Sequence, residues 1–563
     1  MFGYSVRDST ADAVLPPCHN GRSRRNRVSS SRSRLYIAVA LLAACTLAGG
    51  AFATLLFASP ERESPPLDEY ADILTTLSEW SPQPVAAEQF VYASIHGMLS
   101  RLDPHTAFLE PEDFSAMREK QQGSFFGLGI QIQKRMGRIT VIAPMEGTPA
   151  FKLGIRAGDI ITHIEDEEIK EDVTTDDVVR KLRGPKGSQV TITIRRAGID
   201  EPLRMKITRA EIPTFSVRYA FMMTPEVGYL LLADFTHTSS RELKSAIERL
   251  QKQGMKKLLL DLRGNPGGVL DQSVDVADVF LERGSKIVYT RGRTSSSAQD
   301  YGAPGDGLHF DQPLVVLVSR GSASASEIVA GAIQDHDRGL IVGQRTWGKG
   351  LVQSVYTLPY GAGLALTTAK YYTPSGRWIQ RDYSDLLAYV NPDDHDGTGE
   401  DTEPARKEGE VFYTDAGRVV YAAGGITPDV VVKNNRDSKL LTQLLARNLP
   451  FNFAVNWLVK HPDVARDVAV TTAMRDEFFK FAEAAKFSTA DELRRTWNDD
   501  PNHDLVDLAI RVELVNAKYG LAAGWGVRET GDAQVQKALT LFGEAERIAA
   551  LPKKKNPARA AKS

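Results

Sequence analysis

The run VVLVSRGSASASEIVAGAIQD, 315–335, passes from an apolar strand through a turn of small residues into a helix, with Ser324 at the turn. A side chain there emerges at a helix N-terminus. Backbone N–H groups at that end lack intrahelical partners and can stabilise a developing oxyanion. The small neighbours Ala325 and Ser326 let a peptide backbone come close. A serine hydroxyl needs a base. His336 is the nearest histidine to follow, about 18 Å along the axis if the helix continues, and reads as a surface residue near a helix end. A lysine serves instead when burial depresses its pKa. Lys349 follows after one helix and one strand, a path that returns its amine toward Ser324. Trp347, Gly348, Gly350, Leu351 and Val352 suit a partly desolvated amine, and Gln353 is spaced to hold it by a hydrogen bond. Ser322 and Ser326 are nucleophile candidates by proximity alone.

Three other chemistries fit less well. GQRTWGKG, 343–350, has the G-x-x-x-x-G-K spacing of a phosphate loop, but Gly350 stands where Ser or Thr should hold magnesium. LVQSVYTL then continues as strand rather than helix. A Ser-His-Asp hydrolase requires a G-x-S-x-G elbow, and GSASASE has no glycine two residues either side of Ser324. The acidic run NPDDHDGTGEDTEP, 391–404, has Pro392 where a calcium loop would begin with Asp, so it reads as a solvated insertion. No metal or organic cofactor is called for.

These residues need elements to position them. From about 215 to 435 the strand runs VGYLLLADF, KKLLLDLRG, PLVVLVSR and LIVGQR alternate with the amphipathic helices RELKSAIERLQKQG and ASEIVAGAIQDHD, an α/β pattern. Before it, the short runs IQIQKR, ITVIAP, DIITHIE and QVTITIRR, with two short helices, describe a partly open barrel. Segment 68–120 has helical periodicity through Leu74, Leu77, Phe90, Ile95 and Leu99. After 436 the chain is helix-rich and polar. The stripe in MRDEFFKFAEAAKF makes a helix face for a core or an interface, so a homodimer or an adaptor protein stays open as partner.

The bulk numbers fit several globular domains: 563 residues and a net charge of −2, with nothing that points to nucleic acid. The two cysteines, Cys18 and Cys45, both precede the folded part, which excludes a thiol nucleophile or cysteine zinc site there. Residues 22–34 carry six arginines, and 35–58 carry no charge over about 36 Å of helix. The positive-inside rule then predicts a retained membrane anchor, with the remainder extracytoplasmic. A cleaved signal peptide and lipidation at Cys45 within LAAC are the rivals.

GSASASEIVAGA, GQRTWGKGLVQS, KYYTPSGRWIQ and GGITPDV, with LDPHTAFL and DLRGNPGG, resemble the C-terminal processing peptidases, or tail-specific proteases, over roughly 68–435. The resemblance implies a crotonase-like protease core with an inserted PDZ β-barrel; with the N-terminal transmembrane helix and the helical C-terminal extension read from the residues, this makes a multidomain α/β chain. The boundaries follow: basic tail 1–34, anchor 35–58, linker and helical region 59–117, PDZ domain 118–210, protease domain 211–435, extension 436–563. It further implies Ser324 as nucleophile, Lys349 as general base and Gln353 as its partner. Ala325 N–H and a glycine N–H, Gly267 with Gly268 as alternative, would form the oxyanion hole. Asp261 and Arg263 would shape that loop. In FFGLGI, 125–130, Gly127 and Gly129 would cradle a terminal carboxylate. Phe126, Leu128 and Ile130 would line the last side chain's pocket, with Val178, Val179 and Leu182 as the opposite wall. The expected substrates are proteins or peptides with free apolar C-termini, cleaved on the periplasmic face of a membrane. The non-enzymatic alternative is a membrane-anchored PDZ scaffold with an inactive protease-like domain.

Overall fold

A computed structural model describes residues 65–553, except 84, 136, 391–410, 423 and 434–437. The expected anchor 35–58, Cys45 and the acidic run 391–404 lie outside the described residues. Among those described, no helix is long and apolar enough to cross a membrane. The chain divides into two units, Met1–Ala93 and Ser94–Ser563. The first contains the helix Pro65–Trp80 and the start of the helix Ala87–Leu99.

The second unit holds a mixed α/β arrangement. Its central sheet runs, in spatial order, Val217–Met222, Val227–Leu232, Lys257–Asp261, Leu314–Val318, Leu340–Gly343 and Val430–Val431. The first pair is antiparallel and the others are parallel. Parallel strands are covered on both faces, which is why VGYLLL and LVVLV read as unbroken apolar runs and are wholly buried. Helices Ser239–Lys252, Leu270–Asp278 and Ala325–Asp335 cover one face through Leu243, Ile247, Val276 and Val329. Helices Ala533–Leu539 and Phe542–Ala549 cover the other through Val535, Ala538, Phe542 and Ala545.

A second sheet lies beside it. The long strand Gly363–Tyr372 pairs with Leu351–Thr357 along one edge, and with Ala107–Leu109 and Lys286–Gly292 along the other. This sheet carries Gln353 and brings the 103–109 segment to it.

The barrel read from the sequence is a six-stranded antiparallel sheet: Ile130–Arg135, Arg138–Pro144, Ile160–Ile164, Gln189–Arg195 and Leu203–Thr208 in order, with the short strand Glu167–Glu168 paired to Ile160–Ile164 and helix Thr175–Leu182 against it. Val141, Val178, Ile192, Ile194 and Ile207 form its core. Its entry and exit strands, Ser124–Gly127 and Ala210–Pro213, pair with each other and so insert the domain as a unit. The C-terminal helices between Lys439 and Tyr519 make a separate bundle around Phe453, Phe478, Ile510 and Leu514. The stripe in MRDEFFKFAEAAKF therefore faces a core, with Phe478 and Phe479 buried.

Candidate active site

Ser324 opens the helix Ala325–Asp335 with φ 54° and ψ −111°, a sparsely populated conformation for a residue with a Cβ. Its surroundings hold it there. Ser322 Oγ donates to Leu262 O at 2.7 Å and accepts from Ser319 N–H at 2.9 Å. Ala323 N–H and Ser326 Oγ both donate to Asn265 O at 2.9 Å. Tyr371 Oη donates to Ser324 O at 3.2 Å. Ser322 and Ser326, candidates by proximity, are thus bound into the scaffold.

The loop 261–268 packs against this turn. Buried Asn265 donates through Nδ2 to Leu232 O at 2.8 Å. A Cβ on Gly267 would lie 2.9 Å from Ser324 Cβ and Ala325 N, so only glycine allows this approach. The loop is where the sequence placed it, but the expected donor needs correction. Gly267 N–H donates to Asn265 Oδ1 at 2.9 Å and is engaged. Gly268 N–H makes no hydrogen bond among the described residues and is the better candidate. Ala325 N–H, at the first helical position, has no intrahelical acceptor.

Lys349 is half-buried in the segment before strand Leu351–Thr357, and its Nζ donates to Gln353 Oε1 at 2.8 Å. Gln353 Nε2 in turn donates to His105 O. Burial pushes the Lys349 ammonium below the usual lysine range, against the opposing pull of Glu327 and Asp103. No hydrogen bond joins Nζ to Ser324 Oγ among the described residues.

Glu327 connects the two halves and had no role in the sequence reading. It is fully buried. Its Oε2 accepts from Ser324 N–H at 2.8 Å and from Lys349 N–H at 2.9 Å. Its Oε1 accepts from Gly348 N–H at 2.7 Å and Thr346 Oγ1 at 2.5 Å. One carboxylate oxygen therefore bridges the backbones of serine and lysine. Burial raises its pKa, and the four donors work against that rise. The signal was present as Ser324-x-x-Glu327, a capping-box spacing.

The LDPHTAFL segment supplies the third side. Asp103 accepts from His105 N–H and Thr106 N–H at 2.9 Å each, from Thr106 Oγ1 at 2.6 Å and from Thr367 Oγ1 at 3.0 Å. Burial acts to raise the Asp103 pKa, but these bonds outweigh it and hold the carboxyl below its ordinary range. Burial first, and the Lys349 charge second, lower His105 to about 4. Its ring is neutral at pH 7.

His336 caps the far end of the serine helix and bonds Asp415 Oδ2 and Lys286 O, each at 2.7 Å. That position rules out a Ser324–His336 pair. Asp261 and Arg263 form a buried ion pair that reaches Glu529 and Asp532.

In the barrel domain, Leu128 and Gly129 N–H groups make no hydrogen bonds among the described residues. Gly129 has φ 78°, and a Cβ there would meet Thr148 at 2.3 Å. Strand Ile130–Arg135 is a sheet edge beside helix Thr175–Leu182. Ile130 and Val179 are half-buried and Phe126 is 41% exposed, whereas Leu128, Val178 and Leu182 belong to the core. Gly127 ends the strand paired to Ala210–Pro213.

Residues 226–394 match peptidase family S41, and 140–196 match the PDZ domain. The carboxy-terminal-processing protease of Bartonella bacilliformis is 42% identical over 297 residues, covering 52% of this chain and 68% of that protein. The chain belongs to the carboxy-terminal-processing proteases. The carboxyl-terminal-processing protease of a Picosynechococcus species is 38% identical, covering 52% of this chain and 71% of that protein. Among solved structures, the photosystem II D1 C-terminal processing protease is 31% identical, with 65% of this chain and 86% of that one covered and a TM-score of 0.34. This processing protease is a serine peptidase with a PDZ domain that binds peptide C-termini. The S41 match spans Ser324, Lys349 and Gln353, while 125–130 precedes the PDZ match.

Proposed function

We propose that this protease captures the apolar C-terminal tail of a protein and cleaves it with Ser324 and Lys349. The terminal carboxylate sits on the Leu128 and Gly129 N–H groups, and the tail pairs with the free edge of Ile130–Arg135. Phe126, Ile130 and Val179 face its last side chain. Neutral Lys349 takes the Ser324 hydroxyl proton as Oγ attacks the scissile carbonyl carbon. Ala325 and Gly268 N–H groups receive the oxyanion. The C–N bond breaks, and Lys349 returns the proton to the leaving amine. Water then attacks the acyl-enzyme with Lys349 again as base.

The observation that carries this reading is Lys349, its amine half-buried and held by Gln353, with its backbone tied to that of Ser324 by Glu327. Catalytic members held in one hydrogen-bonded constellation favour the enzyme over the inactive scaffold. The test uses the chain without residues 1–60 and a protein ending in apolar residues. Mass spectrometry should find cleavage by the parent and none by Ser324→Ala or Lys349→Ala. Binding of the tail without cleavage by all three would favour the scaffold.

We also propose that 35–58 anchors the protease with its catalytic part outside the cytoplasm, supported by the arginines of 22–34. Protease shaving of spheroplasts should remove the catalytic part if this topology holds, and leave it intact if the chain faces inward.

A further inference from the structure

Tyr389 lies in the short helix Leu386–Val390, far along the chain from the serine and lysine motifs, and is 3% exposed. Its hydroxyl meets three side chains. It bonds His105 Nε2 at 2.8 Å and accepts from Trp347 Nε1 at 3.1 Å and Gln380 Nε2 at 3.4 Å. The indole N–H and the amide NH2 can only donate, so the hydroxyl proton goes to the neutral His105 ring. Each contacted residue belongs to a segment that fixes the lysine. His105 O accepts from Gln353, the partner of Lys349 Nζ. Trp347 lies two residues before Lys349. Gln380 Oε1 accepts from Gly350 N–H at 2.8 Å, directly after it. The Arg381 guanidinium stacks over Trp347 at 4.3 Å and over Tyr389 at 4.9 Å, and Arg381 N–H donates to Gly348 O at 2.9 Å.

We propose that Tyr389 is a positioning residue for the base: its hydroxyl joins the His105 turn, the Trp347–Gly350 segment and Gln380 into one frame that fixes Gln353 and Lys349. The inference rests on the reading of Lys349 as base. Tyr389 touches no reacting atom. It acts by keeping the lysine amine in place and its surroundings dry. The charged and titratable groups around Lys349 are Glu327 from the serine helix, Asp103 and His105 from the turn, and Arg381 beyond Trp347. None of them is removed by changing Tyr389 to Phe, which also keeps the ring contacts. The substitution takes a partner from His105 Nε2 and Trp347 Nε1, while Gln380 Nε2 keeps Arg381 O at 2.9 Å, and so loosens the frame around the amine and opens it to hydration. A better hydrated lysine holds its proton to higher pH, so less of it is available as base near neutrality.

The experiment measures kcat and KM for a peptide with a free apolar C-terminus between pH 5 and 10. It uses the full chain, Tyr389→Phe and Lys349→Ala, with thermal unfolding measured alongside. Tyr389→Phe should lose about tenfold in kcat with KM nearly unchanged, as a displaced catalytic group does. The acid limb of its kcat profile should move to higher pH. Tyr389→Phe with the parent's kcat and acid limb overturns the inference while an inactive Lys349→Ala keeps the base reading. A fall in kcat that only follows lost folded protein, with the limb unmoved, also overturns it. An active Lys349→Ala overturns the base reading, and the inference with it.

Discussion

Replacing Glu327 by Gln tests the connection between serine and lysine most directly. The carboxylate accepts four hydrogen bonds, two on each oxygen, and every donor is an N–H or O–H group. The amide keeps one oxygen. Its NH2 group must face the other two donors, whichever way it is turned. Each buried donor left without an acceptor costs ~1–3 kcal/mol, so the substitution costs ~2–6 kcal/mol at the site. If about 3–4 kcal/mol of this falls on the alignment of Ser324 and Lys349, kcat/KM drops roughly 10²–10³-fold. The charge gives a second signature. Glu327 raises the pKa of Lys349, so its removal lowers that pKa further and the acid limb should move to lower pH. This is opposite to the shift expected for Tyr389→Phe. The assay is kcat/KM on a fluorogenic peptide with a free apolar C-terminus from pH 5 to 10, with circular dichroism to confirm folding. A folded variant with the parent's kcat/KM and an unmoved acid limb would refute the bridging role of Glu327.

Two further outcomes follow from other parts of the molecule. Burial pushes Glu529 up to about 7, with Asp261 and Asp532 adding to the rise and Arg263 opposing it. Its raised folded-state pKa means that the stability it contributes is complete below about 4.5 and is lost as pH rises through 7. Glu529→Gln should therefore stabilise the chain by ~1–3 kcal/mol above pH 7, with the gain shrinking toward pH 4.5 in thermal melts. A gain that is the same at both pH values would show that the carboxyl is not protonated in the folded state. Gly129→Ala places a Cβ 2.3 Å from Thr148 at φ 78°, in the loop whose N–H groups await the carboxylate. Fluorescence anisotropy should find binding of an apolar-tailed peptide weakened by tenfold or more, about 1.4 kcal/mol. Affinity within twofold of the parent would remove that loop from the binding site.

The elements that bear the chemistry were legible because their patterns are local. VVLVSR followed by small residues and an amphipathic run specifies strand, turn and helix without tertiary help. The alternating runs between Ile130 and Thr208 likewise specify an antiparallel domain. The spacing of Ser324, Lys349 and Gln353 predicted a path back to the serine's end, and the strand Leu340–Gly343 beside Leu314–Val318 provides it. What escaped was set by contacts distant in sequence. Glu327 sits three residues after Ser324, a spacing that marks only a helix start, whereas its oxygens also serve Gly348 and Lys349. LDPHTAFL stands out as a motif, but the His105 carbonyl that holds Gln353 leaves no mark in side-chain type. The Gly267–Gly268 register depended on Asn265 Oδ1, which only the folded loop reveals. Helices Ala533–Leu539 and Phe542–Ala549 have apolar positions at helical spacing, yet nothing in that spacing names the sheet they cover.

Those two helices also set an order of events at the ribosome. The strand Leu340–Gly343 emerges about 190 residues before Ala533. At roughly 5–20 residues per second, that interval lasts about 10–40 s. Throughout it, the two helices that cover Tyr229, Leu259, Val315, Leu317 and Val342 in the finished fold have yet to be made. Ser324, Lys349 and Gln353 have all been made by then, but Arg263 in the loop beside the serine still lacks Glu529 and Asp532. A chain stopped short of Ala533 would therefore carry the full catalytic set on an unfinished sheet. Such a chain would leave the apolar face of the sheet that Val535, Ala538, Phe542 and Ala545 cover open to aggregation.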